Sequence, residues 1–187
     1  MKLRNKIALY LNLIIVSFGA YLYINSITKE KAEAAEIQSI VNQVIEKSNH
    51  DKQLNCIATN IYFEARNEGE PGQRAVAWVV LNRTASDKYP HTPCEVVYQS
   101  ELDKKGNPIK NRCQFSWFCD GKSDEIKNKR AWDKAVKIAE DVMSKFGKET
   151  DPTGGSIMYH ANYVKPYWID NYERSVRIDD HIFYVKG

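Results

Sequence analysis

Glu64 lies in the run Ile61-Tyr62-Phe63-Glu64-Ala65-Arg66. Ile57, Ile61 and Ala65 recur at helical spacing and mark an inward face. Glu64 then stands one step from that face, close to the helix end that Asn67-Glu68-Gly69 signals. A carboxyl among Tyr62 and Phe63 loses solvation and holds its proton more tightly. The negative end of the helix dipole acts in the same direction. A carboxyl that stays protonated at neutral pH can protonate a leaving oxygen, which is the task of the acid in glycoside cleavage. Spacing alone also fits a surface glutamate paired with Arg66 or Arg83.

Two aromatic and polar clusters could supply a binding groove. One is Cys113-Gln114-Phe115-Ser116-Trp117, and the other runs from Tyr159-His160 through Tyr167-Trp168. Aromatic rings pack on sugar C–H faces, and Gln and Asn side chains donate and accept toward amides and hydroxyls. The same residues would serve equally as core aromatics with a polar loop. His160 fits a hydrogen-bonded structural role as well as a chemical one.

Cys56, Cys94, Cys113 and Cys119 include no C-x2-C spacing of a zinc ribbon or redox site. An even count in an exported domain suggests two disulfides, with three pairings open. No metal or other cofactor is expected. The net charge of +3, from 27 basic and 24 acidic residues, is spread along the chain. It lacks the basic stripe of a nucleic-acid binder, so no nucleic-acid partner is expected.

The elements that must position these residues follow from pattern. Residues 1–28 form a first segment. Ile7 to Ile27 carries no charge, is long enough for a bilayer and follows Lys2, Arg4 and Lys6. It is expected to be an uncleaved transmembrane signal-anchor that leaves the remainder exported, on the periplasmic or cell-wall side. Ala32-Glu33-Ala34 offers the alternative of cleavage and secretion. Residues 29–53 are charged, with Ile37, Ile40, Val41, Val44 and Ile45 at helical spacing, and predict a helical linker broken at Ser48–Asp51. Residues 54–187 form the domain proper. After the Glu64 helix come a second helix entered at Pro71, a short helix near Glu95 to Gln99, a polar loop over 102–112 and a long amphipathic helix over 131–146. Strands are predicted at 157–160 and 181–185, with Asp179-Asp180 turning a hairpin. Helices first and a small antiparallel sheet later give an α+β domain that is mainly helical.

At this point the chain resembles a known family, the SleB-type cell wall hydrolases related to spore cortex-lytic enzymes. The similarity is carried by IYFEAR (61–66), GQRAVAWVVLNR (72–83), PCEVVYQ (93–99), CQFSWFCDG (113–121) and YHANYVKPYW (159–168), in the family's order. The resemblance implies a lysozyme-like fold and peptidoglycan glycan strands as partner. It implies cleavage of the β-1,4 bond between N-acetylmuramic acid and N-acetylglucosamine with Glu64 as acid/base. It further implies lytic transglycosylation, in which the muramoyl 6-hydroxyl replaces water. Gln114, Phe115, Tyr159, His160 and Trp168 match motif positions and carry over as groove residues, whereas Asn82 and Arg83 are expected to brace the fold.

A muramidase-type hydrolysis would require a second carboxylate. Glu68, one helical turn beyond Glu64, is its first candidate, ahead of Glu70, Asp120 and Asp170. Two rivals fall outside glycosidase chemistry: a cysteine peptidase or amidase using Cys113 or Cys119 with His160, and a non-catalytic wall-binding module.

Overall fold

Helix α1 runs over Lys2–Ala65. The computed structural model describes the backbone of residues 2–187 and the side chains of residue 7 and residues 13–187. The chain divides into two units, residues 1–48 and 49–187. The break expected at Ser48–Asp51 is absent, because no glycine or proline occurs between Gly19 and Gly69. Ser, Asn and Asp inside a helix each cost only about 0.5 kcal/mol relative to alanine.

The expected membrane span is not supported. Among the described residues no helix is long and apolar enough to cross a membrane. The side chains of residues 8–12, part of the expected span, lie outside the described residues. Within the described part of it, residues 13–27, Tyr21, Tyr23, Asn25 and Ser26 dilute the apolar character, and Lys29 and Glu30 follow. The described residues thus form an α+β architecture with no membrane-spanning helix among them, and the expected anchoring through residues 7–27 finds no support there.

In the second unit the last turns of α1 join α2 (Glu70–Thr84), α3 (Pro93–Val97) and α4 (Lys129–Lys145). Helix α2 begins with Pro71 in its first turn, where the missing N–H costs nothing. Helix α4 is capped by Asn128, whose side chain accepts from Ala131 N at 3.0 Å. Ala135, Ile138, Ala139 and Val142 form its buried stripe at i, i+3, i+4 and i+7. They pack with Ile57, Ala58 and Ile61 of α1, Trp78 and Leu81 of α2, and Val96 and Val97 of α3.

The opposite face of α2 offers Ala75 and Val79 to Phe183, which is fully buried. Burying such a phenylalanine contributes up to about 3 kcal/mol. Helix α2 thus stands between the helical core and a three-stranded antiparallel sheet. That sheet has the order β3-β5-β4, from β3 (Met158–Ala161), β4 (Glu173–Ile178) and β5 (His181–Val185). Tyr159 pairs with Phe183 and Ala161 with His181. Side chains alternate along a strand, so Tyr159, His181 and Phe183 share the α2 face, while His160 shares the other with Tyr184.

The polar loop expected over 102–112 is instead a hairpin, β1 (Ser100–Leu102) with β2 (Pro108–Cys113). Asp103 Oδ1 closes it by accepting from Lys105 N at 2.8 Å and Asn107 N at 2.9 Å, and Gly106 takes φ +83°. Both strands are largely exposed, so no apolar alternation announces them.

Candidate active site

Helix α1 ends one residue after Glu64. Its carboxyl is half-buried and opens on a cleft of about 390 Å³ between the sheet and the Cys113–Ser116 segment. Tyr159, directed to the α2 face by strand alternation, donates its hydroxyl to Glu64 Oε2 at 3.2 Å. Loss of solvation is the largest influence on Glu64 and pushes its pKa above the ordinary glutamate value. The Tyr159 hydrogen bond and then the charge of Arg83 act against that rise without cancelling it. Tyr159 itself is pushed well upward, by burial first and by the Glu64 charge second, so its hydroxyl stays a donor.

Arg83 stands at the back of the site, 3% exposed. Its Nε donates to Ile157 O at 2.8 Å, and its guanidinium lies over the Phe115 ring at 5.0 Å and the Tyr89 ring at 5.2 Å. With the Gln114 amide turned so that its oxygen faces the guanidinium, that oxygen accepts from the two terminal nitrogens at 3.3 and 3.2 Å. Arg83 therefore braces the fold and also places a fixed positive charge near Glu64. Asn82 donates to Asp151 Oδ2 at 2.8 Å and Ser156 O at 3.0 Å, which ties α2 to the turn before β3.

Gln114, Phe115, Tyr159, His160 and Trp168 all line the cleft with Glu64. Phe115 is 3% exposed and meets the cleft mainly by carrying Arg83. His160 has both ring nitrogens engaged, Nδ1 with Ala161 O at 2.8 Å and Nε2 with the Tyr184 hydroxyl at 2.9 Å. A carbonyl only accepts, so Nδ1 carries the proton. The ring stacks on Tyr184 and meets Trp168 edge-on at 5.7 Å. Trp168 also lines an adjoining depression with Gln99, Arg112 and Tyr167, which prolongs the groove.

The second-carboxylate candidates lie elsewhere. Glu68 turns to the β4–β5 turn, accepting from Asp180 N at 3.1 Å. Glu70 is 4.0 Å from Arg74, Asp120 is 3.3 Å from Lys122, and Asp170 falls in a short 3-10 helix over Ile169–Asn171. None of the four lines the cleft. The cysteines pair as Cys56–Cys94 and Cys113–Cys119. No thiol remains to serve His160 as a nucleophile.

Two cleft residues stand out that sequence spacing does not single out, His181 and Met158, while Arg83, which spacing already offers as a partner of Glu64, lines the cleft with them. The β3–β5 pairing sets Tyr159 opposite Phe183 and Ala161 opposite His181, which puts His181 on the Tyr159 face; these strands are not neighbours in the chain, so local spacing carries no signal for it.

Comparison with known proteins agrees with this architecture. The chain is 29% identical over 137 residues to the spore cortex-lytic enzyme of Bacillus cereus, a match covering 73% of this chain and 44% of that protein. The chain thus spans less than half the length of the curated relatives it matches. The crystal structure of the catalytic domain of the Bacillus cereus SleB protein superposes with a TM-score of 0.55 at 26% identity, covering 72% of this chain and 91% of that one. The catalytic domain of the germination-specific lytic transglycosylase SleB from Bacillus anthracis superposes with a TM-score of 0.54 at 26% identity, covering 71% and 93%. The Cell Wall Hydrolase family model matches residues 67–184, beginning just after Glu64. With that match over most of its length, the chain belongs to the Cell Wall Hydrolase family and is an enzyme of that class.

Proposed function

We propose that this cell wall hydrolase cuts the glycan strands of peptidoglycan at the β-1,4 bond between N-acetylmuramic acid and N-acetylglucosamine, as a lytic transglycosylase with Glu64 as acid and base. The observation that carries this reading is that Glu64 is the one carboxylate among the described residues lining the cleft, and that burial pushes its pKa above the ordinary glutamate value. Glu64 gives its proton to the glycosidic oxygen as the C1–O bond breaks and its electron pair passes to that oxygen. The muramoyl 6-hydroxyl then bonds to C1, and its proton goes to the Glu64 carboxylate. The enzyme is restored, no water is consumed, and a single carboxyl suffices, whereas hydrolysis draws on a pair.

The groove floor suits an N-acetylated sugar, with Trp168 and Tyr159 presenting rings and Gln114 an amide. The similarity to a lytic transglycosylase catalytic domain adds weight. Action outside the cytoplasm belongs to the same proposal, supported by two disulfides that a reducing compartment would not maintain.

Mass spectrometry of peptidoglycan digested by the purified protein tests the mechanism. Muropeptides ending in 1,6-anhydro-muramic acid are expected. Reducing ends alone would replace transglycosylation by muramidase hydrolysis, and no cleaved glycan would end the proposal.

A further inference from the structure

The β4–β5 turn is docked on the α1–α2 junction by contacts that place one more side chain at the cleft. Asp179 Oδ2 accepts from Gly72 N at 2.9 Å. A Cβ at Gly72 would lie 2.7 Å from that oxygen, so the approach requires glycine. Asp180 N donates to Glu68 Oε2 at 3.1 Å. This docking leaves Glu68 Oε1 3.7 Å from His181 Nδ1, with the two side chains 13% and 7% exposed. His181 Nδ1 is buried and has no hydrogen-bond partner. His181 nevertheless lines the cleft, edge-on to Tyr159 with ring centroids 5.1 Å apart. With Nδ1 turned toward Glu68, Nε2 is the nitrogen left for the cleft.

A carboxylate behind Nδ1 favours the tautomer with its proton there and leaves the Nε2 lone pair free to accept. We propose that His181 is a substrate-binding residue that accepts a hydrogen bond at Nε2 from a hydroxyl of the bound glycan, and that Glu68 is the positioning residue that fixes its ring and tautomer. The proposal rests on the glycan-cleaving reading above. It gives Glu68 a part that needs no direct contact with the reacting bond. The charged and titratable groups around the imidazole are Glu68, Asp179, Asp180, His160 and Tyr159. Burial dominates and lowers the His181 pKa below the ordinary histidine value, with Glu68, Asp180 and Asp179 opposing it in that order and His160 adding to it. The neutral, accepting form therefore prevails at neutral pH.

Two experiments decide it. In the first, soluble glycan strands released from peptidoglycan by sonication are titrated into the full-length Glu64→Gln variant while imidazole signals are followed by NMR. The His181 signal is expected to shift saturably while those of His50 and His91 stay in place. Saturable binding with His181 unmoved overturns the proposal. Absence of any binding sinks the glycan reading itself and this proposal with it.

In the second, kcat/KM is measured against pH. Protonated His181 can no longer accept, so the wild type is expected to lose activity through an acidic limb. His181→Phe, which keeps a ring against Tyr159, should lower kcat/KM about tenfold, chiefly through KM, and abolish that limb. Glu68→Gln retains an acceptor for Asp180 N. Because the Glu68 charge raises the His181 pKa, its removal should move the limb to lower pH, and the change should add nothing in the His181→Phe background. A limb that stays in place, or an equal loss from Glu68→Gln in both backgrounds, would leave Glu68 a merely structural residue and refute its positioning role.

Discussion

The Tyr159 hydroxyl reaches Glu64 Oε2 at 3.2 Å and joins the sheet to the end of α1 at the point where a proton would be transferred. The hydrogen bond favours the ionised carboxylate and holds the Glu64 pKa lower than burial alone would put it. Tyr159→Phe removes that restraint, so the Glu64 pKa should climb further. In the proposed mechanism the acid form is the active one, so the basic limb of kcat/KM should move to higher pH, with kcat at neutral pH falling less than about tenfold. A limb that moved to lower pH would contradict the assignment of Glu64 as acid.

Glu64→Gln should separate activity from stability. Turnover of peptidoglycan is expected to fall by roughly 10²–10⁴-fold, the usual contribution of a general acid. Stability should change in the opposite sense. A carboxyl whose folded pKa is raised stabilises the fold fully below its unfolded pKa, and that contribution is lost as pH rises through the folded pKa. Glu64→Gln escapes the loss, so its thermal midpoint should exceed the wild type's above the Glu64 folded pKa. The two midpoints should converge in acid below the ordinary glutamate pKa. Scanning calorimetry across pH checks this, and equal midpoints throughout would mean the carboxyl is not desolvated.

Arg83 should prove a structural residue as well as an electrostatic one. Its Nε–H···O bond to Ile157 and its packing on Phe115 and Tyr89 are buried. Arg83→Met would leave that carbonyl unpartnered and remove the packed guanidinium plane, a loss of about 2–4 kcal/mol. Urea denaturation should read it as a lower midpoint with an unchanged slope. A variant as stable as the wild type would show that the observed bracing carries no energy.

How much of this was legible in the sequence depended on whether the determinant was local. The Glu64 helix end, the stripe of α4 and the Asp179-Asp180 hairpin follow from spacing and turn chemistry, which operate within a few residues. The β1–β2 hairpin did not show, because its strands are exposed and its turn rests on Asp103 side-chain bonds. His181 did not show either, since its place at the cleft is created by Gly72 and Glu68, more than a hundred residues away in the chain. The expected membrane span finds no support among the described residues, where Tyr21, Tyr23, Asn25 and Ser26 interrupt the apolar run.

The two disulfides should differ in weight. Cys56–Cys94 closes 38 residues and ties α1 to α3, while Cys113–Cys119 closes 6 between the end of β2 and the following 3-10 turn. In the chain-entropy account the longer loop contributes about 4 kcal/mol and the shorter about 2 kcal/mol. Replacing Cys56 and Cys94 together by serine should therefore lower the unfolding free energy by more than replacing Cys113 and Cys119. Activity should order the other way, because Cys113 lies on the cleft beside Gln114, whereas Cys56 and Cys94 do not line it. Parallel denaturation and turnover measurements on the two double variants decide the matter. A Cys56/Cys94 variant that kept its stability but lost its turnover would reverse both expectations.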